Sequence, residues 1–83
     1  MQIIMFCSNW CNKCKIFSNK EKLEYSNVVN IDLPSSMKTL VKYQISIIPT
    51  FIALSNNGRV IGKLSNPLTV EDYIEWKRKL EKK

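Results

Sequence analysis

Apolar residues fall in short runs between polar stretches, and the spacing within each run separates strands from helices. "QIIMF" (2–6) and "NVVNIDL" (27–33) are compact, β-favouring apolar runs that predict two buried strands. Between them, "CKIFSNKEKL" sets Ile16, Phe17 and Leu23 along one face with lysines opposite, the pattern of an amphipathic helix. In "SSMKTLVKYQI", Met37, Leu40 and Val41 recur at helical spacing behind a serine suited to N-capping. "TFIALS" and "RVIGKL" flank Asn56-Asn57-Gly58, and Asn-Gly between apolar runs predicts a hairpin because both residues tolerate positive φ. In "TVEDYIEWKRKLEKK", Thr69 and Asp72 form a capping-box-like pair, and Val70, Tyr73, Ile74, Lys77 and Leu80 make the inward stripe.

The resulting order is β-α-β-α-β-β-α. Two strands joined through a helix should run parallel with a right-handed crossover, and the last two should pair antiparallel in the same sheet. Helices then cover both faces, so the expected fold is an α/β three-layer sandwich on a mixed four-stranded sheet. With 83 residues, 45% of them hydrophobic, the chain is expected to form a single domain spanning 1–83. No run is long enough for a membrane span and no signal segment is recognisable, which predicts a cytoplasmic protein. The net charge of +6 is concentrated late in the last helix, at Lys77, Arg78, Lys79, Lys82 and Lys83. Early Glu71, Asp72 and Glu75 balance these across the helix dipole, so the charge reads as a solvated face rather than a nucleic-acid patch.

The chemistry concentrates in "FCSNWCNKCKIF", which holds Cys7, Cys11 and Cys14. Clustered cysteines in a reducing compartment suggest catalysis or metal binding rather than a structural disulfide. A metal is disfavoured: the chain has no histidine, and three thiolates need a fourth ligand to close a site. Cys11 and Cys14 fall just after a strand, at the first turn of the expected helix. There, unpaired N–H groups and neighbouring Lys13 and Lys15 favour negative charge on sulfur. One thiol can attack a disulfide and the other, one turn on, can resolve the product. Trp10 is expected to be exposed beside the reactive sulfur. Cys7 is expected to be a small packing residue, with a third redox partner as the alternative.

"WCNKCK" resembles the W-C-x-x-C-K site of the thioredoxin family, and "VVNIDL…KTLVKYQISIIPTFIALSNNGRVIGKL" resembles that family's strand, helix, Ile-Pro-Thr turn and hairpin. The resemblance runs from about residue 2 to residue 80 and omits an N-terminal strand and helix, the proportions of a small phage- or prophage-type redoxin. It implies a dithiol–disulfide oxidoreductase with Cys11 attacking, Cys14 resolving and no cofactor. It also implies a substrate-binding surface of Trp10, Ile48, a cis Pro49 and Thr50. Implied partners are disulfide-containing proteins, ribonucleotide reductase among them, with a thioredoxin-reductase-type enzyme as electron source and a monomeric state. Two departures stand out. Met5 occupies the place of the family's buried aspartate, and Asn12-Lys13 replaces Gly-Pro between the cysteines, expected to tune the potential with Lys15. The rival readings are a glutathione-dependent, glutaredoxin-type reductase, whose turn and glutathione-site residues are missing, and a non-catalytic binding subunit.

Overall fold

The structure, a computed structural model, describes residues 1–82. Four strands, β1 (Gln2–Cys7), β2 (Asn27–Asn30), β3 (Thr50–Leu54) and β4 (Val60–Ser65), form one sheet in the order β2-β1-β3-β4. β1 runs parallel to β2 with Met5 opposite Val28, and antiparallel to β3 with Met5 opposite Phe51. β3 and β4 form the antiparallel hairpin. Because side chains alternate along a strand, Ile3 and Met5 join Phe51 and Ala53 on one face, while Phe6 joins Ile52 and Leu54 on the other. β3 is buried throughout, as befits a strand covered on both sides.

Helix α3 (Val70–Glu81) covers the first face, together with the segment after the cysteines. Its Tyr73 ring lies 4.6 Å from Phe51, and Phe17 approaches the same ring edge-on at 5.5 Å. Two buried hydroxyls pin the segment down: Tyr73 donates to the Leu23 carbonyl at 2.8 Å and Tyr25 to the Phe17 carbonyl at 2.7 Å. Helix α2 (Met37–Lys42) lies over the opposite face through Leu40 and the following Tyr43. The three-layer α/β sandwich and the mixed sheet are as the patterning implied.

Local details differ. The helix expected after the cysteines is a 3₁₀ turn, Lys13–Phe17, followed by a separate short helix α1, Lys20–Leu23. The Asn19 side chain accepts the Lys22 N–H and so starts a new helix instead of continuing the old one. Phe17 and Leu23 face the core, whereas Ile16 is exposed. In α2 only Leu40 of the expected stripe meets the sheet; Met37 and Val41 point to solvent. Ser36 makes no side-chain cap there, because its hydroxyl donates instead to the Asn30 carbonyl. α3 turns Trp76 inward and Ile74 outward, since Trp76 completes the aromatic stack on Phe51 and Tyr73. The Thr69–Asp72 capping box is formed. Lys83 lies outside the described residues. In the hairpin loop only Gly58 takes positive φ (84°), and the Gly58 N–H donates to the Ser55 carbonyl in a type I-like turn.

Candidate active site

β1 delivers the chain to one edge of the sheet, where Ser8–Cys11 closes a turn through the Cys11 N–H and the Ser8 carbonyl. The following 3₁₀ winding, with the Lys15 N–H bonded to the Asn12 carbonyl, brings side chains three residues apart nearly into register. Cys14 therefore sits over Cys11, and its backbone N–H donates to the Cys11 sulfur at 3.3 Å. Both cysteines are buried, at 8% and 6% exposure. Burial, which strips water from a thiolate, pushes the Cys14 thiol up to about 12, and its hydrogen bond to Cys11 acts in the same direction. Its surroundings thus hold the Cys14 thiol in its protonated form.

Because β1 and β2 are parallel, the loops that follow them meet at this edge. Asp32, just past β2, accepts the indole N–H of Trp10 at 3.0 Å and the Asn9 N–H at 3.3 Å. Trp10 is 68% exposed, yet fixed in orientation. Trp10, Ile31, Leu40, Ile45 and Ile48 line an apolar groove of about 350 Å³. The Ile48–Pro49 peptide bond is cis, and Ile48 packs against the cluster that contains both cysteines.

A second tie joins the cysteine turn to this loop. The Asn66 N–H donates to the Pro49 carbonyl at 2.9 Å, and its side-chain oxygen accepts from the Lys13 ammonium at 2.8 Å. Lys13 thus ties the cysteine turn to Asn66 through a neutral acceptor and keeps its positive charge there. Lys15 and Asn12 are exposed. Thr50 corrects an expectation: it is fully buried and its hydroxyl donates to the Ile47 carbonyl, so it braces the loop and does not reach a docking surface. Met5 is 2% exposed and lines, with all three cysteines, a second cavity of about 300 Å³ beneath the pair. Among the described residues, no group of histidine, cysteine, aspartate or glutamate side chains is placed to hold a metal ion. No described helix is long and apolar enough to cross a membrane.

Asp32 and Asn66 escaped the sequence reading. Signals existed for both: parallel strands bring the ends of β1 and β2 together, and β4 returning along β3 sets Asn66 opposite Pro49. Asn66 also takes φ of 50°, a left-handed conformation asparagine tolerates well.

A dithiol turn at the end of β1 with an ordered tryptophan before it, on a mixed four-stranded sheet, is the arrangement of a thiol–disulfide oxidoreductase. The chain belongs to the thioredoxin family, whose model, described as Thioredoxin, matches residues 1–79. Among solved structures it is similar to Arabidopsis thaliana thioredoxin O2, with 19% identity and a TM-score of 0.74, covering 98% of this chain and 72% of that one. Thioredoxin 1 of Thermosipho africanus shares 17% identity over all of both chains, with a TM-score of 0.67. The C-terminal domain of Neisseria meningitidis DsbD, in its reduced form, shares 18% over 94% of this chain and 78% of that one, with a TM-score of 0.69. These identities speak for the fold alone. No curated protein sequence matches the chain.

Proposed function

We propose that this chain is a cytoplasmic, monomeric, single-domain reductase of protein disulfides, working through Cys11 and Cys14. The Cys11 thiolate attacks one sulfur of a client disulfide, expelling a client thiolate and leaving a mixed disulfide. Cys14 then loses its proton to water and attacks the Cys11 sulfur, releasing the second client thiolate. Two electrons have passed to the client, and the protein holds a Cys11–Cys14 disulfide. A thioredoxin-reductase-type enzyme returns it to the dithiol. Ribonucleotide reductase is a candidate client by family analogy.

The observation that carries this reading is the Cys14 N–H on the Cys11 sulfur beside a groove shared by Trp10 and Ile48. An extended client segment fits that groove, adding its backbone beside Ile48 and Pro49 as a strand would. Lys13 and Lys15 tune the potential of the pair by their charge, and Asn12 by setting the turn.

The test is capture. A Cys14→Ser variant exposed to cell extract should hold clients as dithiothreitol-sensitive adducts, and Cys11→Ser should hold none. An empty Cys14→Ser sample rules out the reading.

A further inference from the structure

The third cysteine packs against the buried cluster that holds the other two, and it does more than fill space there. β1 alternation puts Cys7 on the same sheet face as Ile3 and Met5, which is the face on which Cys11 and Cys14 lie. Unlike Ile3 and Met5, Cys7 is only half-buried, and its side chain opens with Cys11 and Cys14 into the same 300 Å³ cavity. Cys7 packs against the buried cluster that holds both Cys11 and Cys14, and burial, its leading influence, raises the Cys7 thiol while hydrogen bonding with Cys14 lowers it. All three thiols therefore share one cavity and one buried cluster. Ser8 also lines the cavity, 6% exposed, and its hydroxyl is buried without a hydrogen-bond partner among the described residues.

We propose that Cys7 is a third redox-active thiol that takes the disulfide over from Cys11 by attack on Cys14. The proposal rests on the reading of Cys11 and Cys14 as the working dithiol. In the oxidised protein, Cys7 loses its proton to water and its thiolate attacks the Cys14 sulfur. The Cys7–Cys14 bond forms, the Cys11–Cys14 bond breaks, and Cys11 leaves as a thiolate. No net oxidation occurs, since one disulfide has moved by one cysteine.

The exchange changes what the site does. With the disulfide moved, Cys11 is free to attack a second client while its resolving partner is occupied, so mixed disulfides formed in this state persist. The protein then passes from a turnover form to a holding form without leaving the oxidised state.

Two measurements test the exchange. The Cys11→Ser variant, which cannot form the working pair, is oxidised with oxidised glutathione, quenched in acid and treated with an alkylating agent. The expected result is loss of both remaining free thiols, with no glutathione adduct and a mass lower by two hydrogens. The wild-type protein, oxidised the same way, is alkylated at acid pH and cleaved after Trp10 and after Lys13, which separates all three cysteines. Peptides carrying Cys7 linked to Cys14 are expected beside those carrying Cys11 linked to Cys14.

Two free thiols or glutathione adducts in the variant overturn the proposal. So does a closed variant whose wild-type counterpart shows only the Cys11–Cys14 linkage, because the exchange then does not proceed from the working pair. Insulin-disulfide reduction by the same wild-type sample reports separately on the dithiol reading, so the two failures are distinguishable.

Discussion

The step most exposed to the structure is the attack of Cys14 on the mixed disulfide. The Cys14 thiol stands at about 12 against an ordinary value of 9.0, and burial is the leading cause. At pH 7 its thiolate fraction is then roughly 10⁻⁵, about a thousandfold below that of an ordinary thiol. A more basic thiolate is intrinsically more nucleophilic, with a Brønsted slope of about 0.4–0.5, which recovers roughly twentyfold. The contribution of the Cys11 thiol is lost once Cys11 is in a disulfide while burial remains, so resolution should run slower at pH 7 than an unburied thiol in the same position would allow, by up to about fiftyfold. Its rate should climb roughly tenfold per pH unit, following the thiolate population. The assay loads Cys11 with thionitrobenzoate in a Cys7→Ala background and follows release of the yellow thiol by stopped flow between pH 6 and 10 (assay settings of about that span suffice to define the slope). Burial persists when Cys11 is tied up, so the climb should continue to the top of the range. A plateau with its midpoint below an ordinary thiol's value would refute the reasoning, since Cys14 would then not be held protonated by its surroundings.

Three further outcomes are expected. Tyr73→Phe removes a hydroxyl that satisfies the buried Leu23 carbonyl, and should cost about 1–3 kcal/mol, read as a fall in Tm of several degrees with the sheet intact by circular dichroism. The reduced protein should lose stability as pH rises above about 9.0, because Cys14 ionises there in the unfolded chain but only near about 12 in the folded one. The upward shift of Tyr73, again from burial, has the same sign, so thermal melts across this alkaline range should show a decline and not a rise. The potential of the Cys11–Cys14 couple should lie above about −270 mV, towards the glutaredoxin range, and Lys13→Met should lower it. A wild-type value well below that figure contradicts the tuning role of Lys13.

What was legible in the chain followed from strong, short-range signals. Alternating and continuous apolar runs marked all four strands, and Asn-Gly marked the hairpin, although Gly58 alone takes the left-handed conformation there. The cysteine turn could be placed because β1 had to end before it. The helices were less legible, for a common reason. Where two faces of a short helix are both partly apolar, the sheet decides which turns inward: Leu40 over Met37 and Val41, and Trp76 over Ile74. Asn19 shows another limit, since one side-chain hydrogen bond divided an amphipathic pattern into a 3₁₀ turn and a new helix. Asp32 and Asn66 lay beyond pattern reading, because their partners stand 22 and 53 residues away and meet only through sheet topology. Thr50, expected at the docking surface, opens β3 and is enclosed between β1 and β4, a burial that follows from the sheet order and not from local sequence.

The central claim is that Cys11 and Cys14 together carry electrons to protein disulfides. Insulin-disulfide reduction with dithiothreitol as electron source measures it directly, comparing wild type with Cys11→Ser and Cys14→Ser. Turnover well above the dithiothreitol background is expected for wild type, none above it for Cys11→Ser, and stalled mixed disulfides for Cys14→Ser. Undiminished turnover by a folded Cys11→Ser protein would contradict it.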